Sequence, residues 1–533
     1  MPIGVAQTDN HGVRSFIVAA VLALGWCCAC AFAADALPWF DGERPGLQAR
    51  QAVELLADSA SDGLEPRDYD ADALRQAVAA ATEGSPLEPA ARVRLDQGLT
   101  AAMQRYLADL QTGRVDPRQL RVGVGVAPGD GFDAAAALRA ALESRRLPEA
   151  ARDAAPRLPV YARLREALAH YRALGDPPVW RQPLPPLPAV GRGNAKLEPG
   201  QPYAGLALIA QRLALLGDLP ADAVPRVNPP SYEAPLVAAV EAFQRRHGLV
   251  ADGLIGKATF AQLQVAPAAR VRQIEIMLER LRWTPLMQGP RMIVVNIPEF
   301  VLRAYEVHDG RIAVRLQMNV IVGKAMSTRT PLLDEDMRFI EFSPYWNVPP
   351  SIARAETVPR LRRDPAYFER EGLEFVAPDG GVSTVLTAAQ LDAVLAGQLR
   401  IRQRPGPRNA LGDIKFVFPN SDNIYLHHTP STELFARERR DFSHGCIRVE
   451  RPLALAEFVL QGMPGWTEER IRHAMVKGES ATLRLAEAVP VLIVYGTALV
   501  KDGKMHFFDD IYGHDRRLDA ALRAREPLRL PLN

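Results

Sequence analysis

One cysteine of this chain lies among residue types that can activate a thiol. Cys446 stands in the run SHGCIR at 443–448, and His427 and His428 precede it along the chain. A thiol attacks as its thiolate, so a nucleophilic cysteine needs a neighbouring imidazole, a cation or a helix N-terminus that lowers its pKa. Three of the ten histidines lie within twenty residues of Cys446 and can meet that need.

The residues around the thiol predict acyl transfer. His427 follows an apolar run typical of a strand, so we expect its imidazole at a strand end, where it reaches the thiol as a general base. We expect the amides of Gly445 and Cys446 to form an oxyanion hole, because a residue without Cβ lets the backbone approach a reacting carbonyl. Arg448 reaches the same side in an extended segment and suits a carboxylate. The set predicts a peptide substrate that ends in a carboxylate.

Other interpretations of the same residues stay open. A lone cysteine is often a small buried hydrophobe, although the polar run around this one argues against an apolar site. His427, His428, His444 and Cys446 are all metal-ligand types, but their spacings match no familiar zinc pattern. For His428 the plainer interpretation is a structural or exposed residue. For Arg448 the alternative is an ordinary surface ion-pair residue.

The remaining cysteines lie in a segment with the pattern of a secretory signal. The run 16–34 is apolar throughout and offers a small-residue cleavage site before Ala34. It contains all the other cysteines of the chain, Cys27, Cys28 and Cys30. We expect residues 1–33 to be a removable signal peptide, and the alternative is an uncleaved anchor, because about 18 apolar residues can span a bilayer. Once the signal is removed, Cys446 has no partner for an internal disulfide.

The composition predicts several globular domains and gives no sign of nucleic acid as a partner. With 533 residues and 48% hydrophobic composition, the chain can bury more than one core, and about 150 residues per domain predicts three or four domains. The formal net charge of +2 is close to neutral, so no basic field favours nucleic acid. Local motifs must therefore identify the partners.

The first half of the chain predicts two helical units. Residues 37–180 carry Ala- and Leu-rich stretches with apolar residues at threes and fours, which is typical of a helical scaffold. The run 176–188 holds six prolines in thirteen residues and favours an extended, semi-rigid spacer over a packed element. Residues 200–266 form a second helical unit, in which glycines end the helices.

This second unit resembles a known wall-binding module. Its order of Phe-Gln, Gly-Leu, Asp-Gly, Ile-Gly and Thr resembles the three-helix peptidoglycan-binding module. A generic helical module with glycines at the same turns is the alternative. If the resemblance holds, it implies binding to cell-wall glycan or stem peptide.

A β-rich domain is predicted from residue 290 to residue 500. Its first strands are short and β-branched, and turn residues such as Asp309-Gly310 separate them. The charged stretch 352–404 predicts a helical insertion rather than part of the sheet, and residues 501–533 a C-terminal extension. The predicted fold class is therefore α+β and multidomain, with a helical scaffold and a three-helix module before a β-rich domain that carries a helical capping insertion.

The motifs of the β-rich domain resemble those of the L,D-transpeptidases. The runs YLHHTP at 425–430 and SHGCIRV at 443–449 look like the catalytic signature of that family. Upstream, VGK at 322–324, TP at 330–331, PYWNVPPSI at 344–352 and PGPRNALG at 405–412 match its large periplasmic members. Those members also carry a helical scaffold, a peptidoglycan-binding module and a capping insertion.

The resemblance implies a reaction and a set of site residues. Cys446 attacks the peptide bond after the L-centre of the diamino acid at stem position three, D-Ala leaves, and the amine of another stem resolves the thioester into a 3→3 cross-link. His427 is the expected proton shuttle and ranks above His444. The implied catalytic set is Cys446, His427, His444 and Gly445. The implied substrate-binding set is Arg448, Ser443, Tyr425 and Asn409.

The resemblance also implies the partners and the compartment. Neither a metal nor a cofactor is expected, and the partners are peptidoglycan stem peptides and glycan in the periplasm or cell envelope, with membrane attachment only if the signal stays uncleaved. The insertion at 352–404 is expected to act as a lid over the site. The alternatives are an L,D-carboxypeptidase, a cross-link-cleaving cysteine peptidase of the same fold, and a wall-binding protein without activity.

Overall fold

The computed structural model describes six stretches of the chain, residues 37–120, 131–188, 195–225, 229–285, 289–308 and 311–532. The predicted signal peptide and the predicted turn Asp309-Gly310 lie outside the described residues.

In the described ranges 37–120 and 131–174, six helices and one small hairpin form the scaffold. In the first helix, Ala49, Ala52, Val53 and Leu56 recur at threes and fours and are buried in one core, which is the pattern that amphipathic helices require. The elements are β1 (Phe40–Asp41), β2 (Arg44–Pro45), α1 (Leu47–Asp58), α2 (Ala71–Glu83), α3 (Pro89–Thr112), α4 (Ala134–Ser144), α5 (Leu147–Ala154) and α6 (Pro159–Leu174). Short 3₁₀ turns follow α1 and α3, at Ser59–Asp62, Pro66–Tyr69 and Pro117–Leu120.

The second helical unit has its own core, to which the proline-rich run belongs. Its helices are α7 (Pro178–Arg181), α8 (Leu206–Leu215), α9 (Leu236–Arg246) and α10 (Lys257–Leu263), with a 3₁₀ turn at Ala221–Ala223. Val179 and Leu184 are buried, and the buried Arg212 donates to the carbonyls of Val179 and Leu263 at 3.0 Å each. The prediction of a spacer at 176–188 was therefore wrong. The run has little regular structure. Its backbone carbonyls accept hydrogen bonds from Arg212, and these bonds hold the run on the second helical unit.

A single long helix joins the two helical units to the β-rich domain. This helix, α11 (Pro267–Trp283), packs on α6 and buries a charged row along its length. Glu279 Oε2 lies 2.8 Å from Arg282 Nη1, and Arg282 also donates to the Tyr161 hydroxyl of the scaffold at 2.9 Å. Buried hydrogen bonds of the charged Arg282 thus fix α11 to the scaffold.

The third part of the chain forms a sheet that closes on itself. Its elements are β3 (Arg291–Asn296), β4 (Val301–His308), β5 (Arg311–Gly323), β6 (Leu333–Phe342), β11 (Ile414–Val417), β12 (Leu426–His427), β13 (Asp441–Ser443), β14 (Ile447–Val449), α16 (Pro452–Leu460), α17 (Glu468–Val476) and β15 (Ala481–Val494), with a 3₁₀ turn at Thr432–Ala436. The strand order is β13-β5-β14-β12-β11-β6-β15-β3-β4, and β4 pairs again with β5. The α+β fold class is confirmed.

The insertion predicted at 352–404 lies outside this sheet, as expected, but it is not purely helical. Its elements, with the strand that precedes it, are β7 (Trp346–Asn347), α12 (Pro350–Ile352), a π-helical turn at Ala353–Thr357, α13 (Val358–Arg363), α14 (Ala366–Arg370), β8 (Leu373–Val376), β9 (Val382–Ser383), α15 (Ala388–Leu395) and β10 (Arg400–Gln403). The four strands form a separate sheet in the order β7-β10-β8-β9. We call residues 350–403 the cap.

The last described residues return to the scaffold. A hairpin of β16 (Ala498–Lys501) and β17 (Lys504–Phe507) spans the boundary proposed at residue 500, and α18 (His514–Arg523) follows it. Arg525 then pairs with Asp109 of α3 at 2.8 Å, and Leu528, Leu530 and Leu532 pack on the scaffold core. Residues 525–532, which we call the tail, therefore complete a core that begins near residue 39.

Candidate active site

Strand register brings the candidate residues to one face of the sheet. His427 pairs with Lys415 on one side and with Arg448 on the other, so the three side chains form a row. Leu426 and Ile447 alternate with them and are fully buried in the barrel core. Since Tyr425 and Cys446 stand two residues before His427 and Arg448, they extend this face beyond the row. Apolar residues thus fix the strands from inside and present the polar residues outside.

The thiol of Cys446 is half-buried and has polar neighbours. Its Sγ lies 3.6 Å from the Asn423 carbonyl oxygen, to which it donates. Burial raises the pKa of Cys446, while hydrogen bonds from Tyr425 and the charges of Lys415 and Arg448 offset part of that rise. The resting thiol is therefore protonated at neutral pH, and attack requires a base that accepts its proton.

His427 has the protonation state that a base requires. Its ring is buried, and its Nδ1 lies 2.5 Å from the carbonyl oxygen of His428. Because a carbonyl only accepts, Nδ1 carries the proton and Nε2 keeps a free lone pair. Burial, followed by the charge of Arg448, lowers the pKa of His427 to about 3, so the imidazole is neutral at physiological pH.

Tyr425 adds a hydroxyl beside the thiol. Burial and the neighbouring Cys446 raise the pKa of Tyr425, which keeps its hydroxyl protonated and able to donate to sulfur. The Lys415 ammonium lies 4.5 Å from the centre of the Tyr425 ring and 3.1 Å from Glu341 Oε2. This chain of contacts fixes both the ring and the cation near the thiol.

Arg448 is an unpaired cation on the same face. Its side chain is half-buried, its Nε has no hydrogen-bond partner among the described residues, and no carboxylate lies within ion-pair distance there. Burial lowers the pKa of Arg448, and the charges of Glu433 and Cys446 offset part of this effect. A half-buried guanidinium without a counter-ion favours an anionic ligand.

The turn before Cys446 is held from below by hydroxyl groups. Ser443 Oγ donates to the Cys446 carbonyl at 2.5 Å and accepts the Gly445 amide at 3.1 Å. Thr330 Oγ1 donates to the Gly445 carbonyl at 2.7 Å and accepts the Gly323 amide at 2.9 Å. Gly445 has φ +120°, a conformation that side chains rarely adopt. The conformation of this turn therefore depends on Thr330 as well as on the residues of the turn itself.

Two of the groups with predicted roles are engaged within the turn. The Gly445 amide is engaged by Ser443, so it does not point freely into an oxyanion hole, whereas the Cys446 amide has no hydrogen-bond partner in the described ranges. Ser443 is 2% exposed and uses its hydroxyl within the turn, which does not fit a substrate-binding role.

Asn409 and His444 are also engaged in contacts with neighbouring segments. Asn409 is 1% exposed, and its amide donates to the carbonyls of Pro344 and Arg404 while its Oδ1 accepts the Leu411 amide. It shapes the loop after the cap and has no group left for a substrate. His444 Nε2 lies 2.7 Å from Glu356 Oε1 in the cap, so its ring is directed away from a proton-transfer role.

The side chain of His428 is engaged away from the thiol. His428 Nδ1 lies 2.7 Å from Asp413 Oδ1, and only the backbone carbonyl of His428 serves the site. No group of three or more His, Cys, Asp or Glu side chains that could hold a metal comes together in the described stretches. None of the helices in those stretches is long and apolar enough to cross a membrane.

Several residues of this site escaped the sequence analysis. Lys415 alternates with the buried Ile414 and Phe416, and that alternation was the available signal. Glu356 carries no local signal, since its partner is 88 residues away in sequence. Thr330 belongs to a motif of the resemblance, but its contact with the Gly445 carbonyl, 115 residues away, has no local signal.

Comparisons with known families agree with the architecture. Residues 290–467 match the L,D-transpeptidase catalytic domain, residues 33–168 match a scaffold domain, and residues 205–263 match a "putative peptidoglycan binding domain". These peptidoglycan-related domains indicate the cell envelope.

Individual proteins give a narrower match. A protein of Haemophilus influenzae described as a "putative L,D-transpeptidase" is 33% identical over 243 residues, which are 46% of this chain and 48% of the relative. The match thus spans about half the length of that curated relative.

Two solved structures are also similar. The L,D-transpeptidase from Stackebrandtia nassauensis is 13% identical with a TM-score of 0.22, over 58% of this chain and 97% of its own. Bd1075 of Bdellovibrio bacteriovorus is 14% identical with a TM-score of 0.16, over 44% of this chain and 55% of its own.

The catalytic-domain match contains the cap, the Cys446 turn and most strands of the barrel, and the same chain carries the scaffold and peptidoglycan-binding matches. Residues 290–467 of this chain therefore form a domain of the L,D-transpeptidase catalytic type.

Proposed function

We propose that this protein forms 3→3 cross-links in peptidoglycan through a thioester on Cys446, with release of D-Ala. The observation that carries the proposal is the face on which a thiol, a neutral imidazole with a fixed tautomer and an unpaired guanidinium meet. These groups supply a nucleophile, a base and a carboxylate partner for acyl transfer.

In the first step the donor stem acylates Cys446. The thiol proton passes to Nε2 of His427 as sulfur attacks the carbonyl carbon of the third stem residue. The S–C bond forms, the C–N bond to D-Ala breaks, and His427 returns the proton to the leaving amine. The His428 carbonyl stabilises the transient imidazolium, because it already accepts from Nδ1. The Cys446 amide is the candidate oxyanion donor.

In the second step an amine resolves the thioester. The side-chain amine of a second stem attacks the acyl carbon, a C–N bond forms, and the S–C bond breaks. The amine gives its surplus proton to His427, which returns it to the thiolate. Atoms and charges balance without a cofactor.

Arg448 and Tyr425 complete the proposed site. The unpaired Arg448 guanidinium supports binding of a stem carboxylate, since a bidentate pair both neutralises and orients it. The Tyr425 hydroxyl supports the thiolate between the two steps by donating to sulfur.

The other domains support a site of action at the wall. The match at 205–263 supports peptidoglycan as the partner. With the predicted signal peptide, we place the protein in the periplasm and propose that the module holds the barrel near its substrate.

The experiment is product analysis by mass spectrometry after incubation of the purified protein with disaccharide-tetrapeptide. Release of D-Ala together with a tripeptide-to-tetrapeptide dimer supports the proposal. Tripeptide monomer as the main product would replace it by L,D-carboxypeptidase activity, and intact tetrapeptide would contradict both.

Cys446→Ala is the matched variant for this experiment. We expect it to lose product formation completely, since no other group supplies the nucleophile, and to keep sedimentation with purified wall material. D-Ala release by this variant would overturn the thioester route.

A further inference from the structure

We propose that Glu356 and His444 are a positioning pair that ties the cap to the thiol turn and thereby favours the amine acceptor over water. This inference rests on the proposed function. His444 stands two residues before Cys446, and its Nε2 lies 2.7 Å from Glu356 Oε1 on the π-helical turn at Ala353–Thr357. The pair spans 88 residues of sequence and joins the first turns of the cap to the reactive segment.

The backbone on both sides of His444 is already fixed by other contacts. The Ser443 carbonyl accepts from the Lys324 amide at 2.9 Å and from Thr328 Oγ1 at 3.0 Å. The Gly445 carbonyl accepts from Thr330 Oγ1 at 2.7 Å. Only the side chain of His444 is left to reach outward, and it reaches the cap.

The other ion pairs of the cap join residues of the cap to one another. Arg362 pairs with Asp392, Arg370 with Asp364 and Glu371, and Arg402 with Glu374, all within the cap itself. Among the ion pairs of the described residues, the Glu356–His444 pair is the one that leaves the cap for the Cys446 turn. Its loss therefore removes a specific link and spares the interior of the cap.

The pair has the exposure of a contact that can open and close. The side chain of Glu356 is 54% exposed and that of His444 is 28% exposed. A pair at this depth contributes modestly to folding, so its variants should fold normally. Its geometry still decides whether the cap covers the acyl-enzyme.

Closure bears on the second chemical step more than on the first. Acylation needs the thiol and His427, whereas the side-chain partner of Glu356 is His444. The thioester, in contrast, is open to water until an amine arrives, and a closed site excludes that competitor. Opening the cap should therefore shift the partition of the acyl-enzyme from aminolysis toward hydrolysis.

The test compares Glu356→Ala with Glu369→Ala in the full chain. Glu369 is an exposed glutamate of the same cap with no described side-chain partner, so it controls for the loss of one charge. Acylation is followed by intact-protein mass, and the fate of the acyl group by the ratio of tripeptide to cross-linked dimer. For Glu356→Ala we expect acylation within about twofold of wild type and a ratio raised about tenfold, which corresponds to about 1.4 kcal/mol.

Two further variants separate positioning from general damage. Glu356→Gln keeps an acceptor oxygen for His444, so we expect it to restore most of the dimer yield. His444→Gln should raise the KM for the amine acceptor while the KM for the donor stays unchanged. An equal loss of both steps would mean a structural role only and would overturn the inference.

The outcomes also separate this inference from the proposed function. If wild type forms no acyl-enzyme and releases no D-Ala, the proposed function fails. If wild type forms dimer and Glu356→Ala gives the product ratio of Glu369→Ala, the proposed function stands and the inference is wrong.

Discussion

At the scale of single residues, the burial of His427 decides what this site can do. A buried imidazole loses its charged form, and the neighbouring Arg448 cation disfavours that form further. The reactive pair therefore rests as a neutral thiol and a neutral imidazole, unlike a preformed thiolate–imidazolium pair. The proton moves only as the carbonyl carbon is attacked.

The two histidines near the thiol should differ in their contribution to acylation. We expect His427→Ala to lower the acylation rate by about 10²-fold or more, which is the range for loss of a general base. His444→Ala should lower it less than twofold, because that ring contacts the cap. Single-turnover acylation with tetrapeptide measures both rates, and equal losses would contradict the assignment of the base.

At the scale of elements, the thiol turn depends on a loop from another part of the barrel. The segment after β5 supplies Thr328 and Thr330, which hold the carbonyls of Ser443 and Gly445. Gly323 lies where an added Cβ would meet the Thr328 carbonyl oxygen at 1.9 Å, so the close approach of the two loops requires glycine there. The reactive turn is therefore positioned by a neighbour rather than by its own sequence.

Thr330→Val tests this dependence. The substitution keeps the shape but leaves the Gly445 carbonyl and the Gly323 amide without their partner, at a cost of about 1–3 kcal/mol. We expect acylation to fall about tenfold at a temperature where the variant is fully folded. The control is Thr384→Val on an exposed loop of the cap, and a wild-type rate in Thr330→Val would show that the loop does not position the turn.

The elements also show how far sequence reasoning reaches. Local pattern was enough for α3 and for the early strands, since apolar periodicity is set by neighbours in the chain. The motif around Cys446 was enough to indicate the segment that we propose as reactive. The small sheet of the cap was missed because β8 and β10 are four residues each and lie among helical stretches. The locations of Lys415 and Glu356 depend on register and on contacts between distant elements, which one sequence does not encode locally.

Polar residues of the motif show a related limit. The family resemblance of their motifs implied that Ser443 and Asn409 bind the substrate. In the structure both are nearly inaccessible and satisfy backbone groups of their own loops. A buried backbone group must find a partner, and that demand explains these residues without a ligand.

At the scale of the whole molecule, ion pairs and apolar contacts of the tail join the scaffold to the last part of the chain. Arg525 contacts both carboxylate oxygens of Asp109, which is buried beside the Tyr69 hydroxyl. Despite this cation, burial raises the pKa of Asp109. The site is therefore costly to leave unpaired.

Arg525→Ala should destabilise the protein strongly. Removing one partner of a buried pair costs about 3–5 kcal/mol, because the other charge stays buried. The matched control is Arg523→Ala two residues away. The Arg523 side chain is largely exposed and its partner Asp519 keeps Arg272 as a second partner, so this loss should cost less than about 1 kcal/mol. Thermal unfolding followed by circular dichroism compares them, and equal midpoints would refute the role of the tail.

Buried histidines should make the whole molecule sensitive to mild acid. Burial lowers the pKa of His427 to about 3 and those of His506 and His514 to about 4. Below about pH 6.5 these histidines bind protons in the unfolded chain but stay neutral in the folded chain. The free energy of unfolding therefore falls as pH drops from about 6.5 toward 4. Above that range these residues add no pH dependence.

Denaturant titrations at several pH values measure this slope. Each histidine adds at most about 1.4 kcal/mol per pH unit. His514→Gln should flatten the slope, because His514 is packed against Tyr495 with its Nδ1 buried and unpartnered. His473→Gln, at an exposed position, should leave the slope unchanged, and a pH-independent wild type would contradict the expectation.

The contact of the tail with the scaffold separates the order of synthesis from the order of folding. Domains usually fold one after another as they emerge, beginning with the N-terminal domain. Here the core around α1 and α3 is covered by Leu528, Leu530 and Leu532, which are made more than 400 residues later. A nascent scaffold therefore exposes apolar surface until the barrel and the tail have followed it. During that interval we expect the scaffold to bind a holding chaperone. In the folded protein the tail covers this apolar surface.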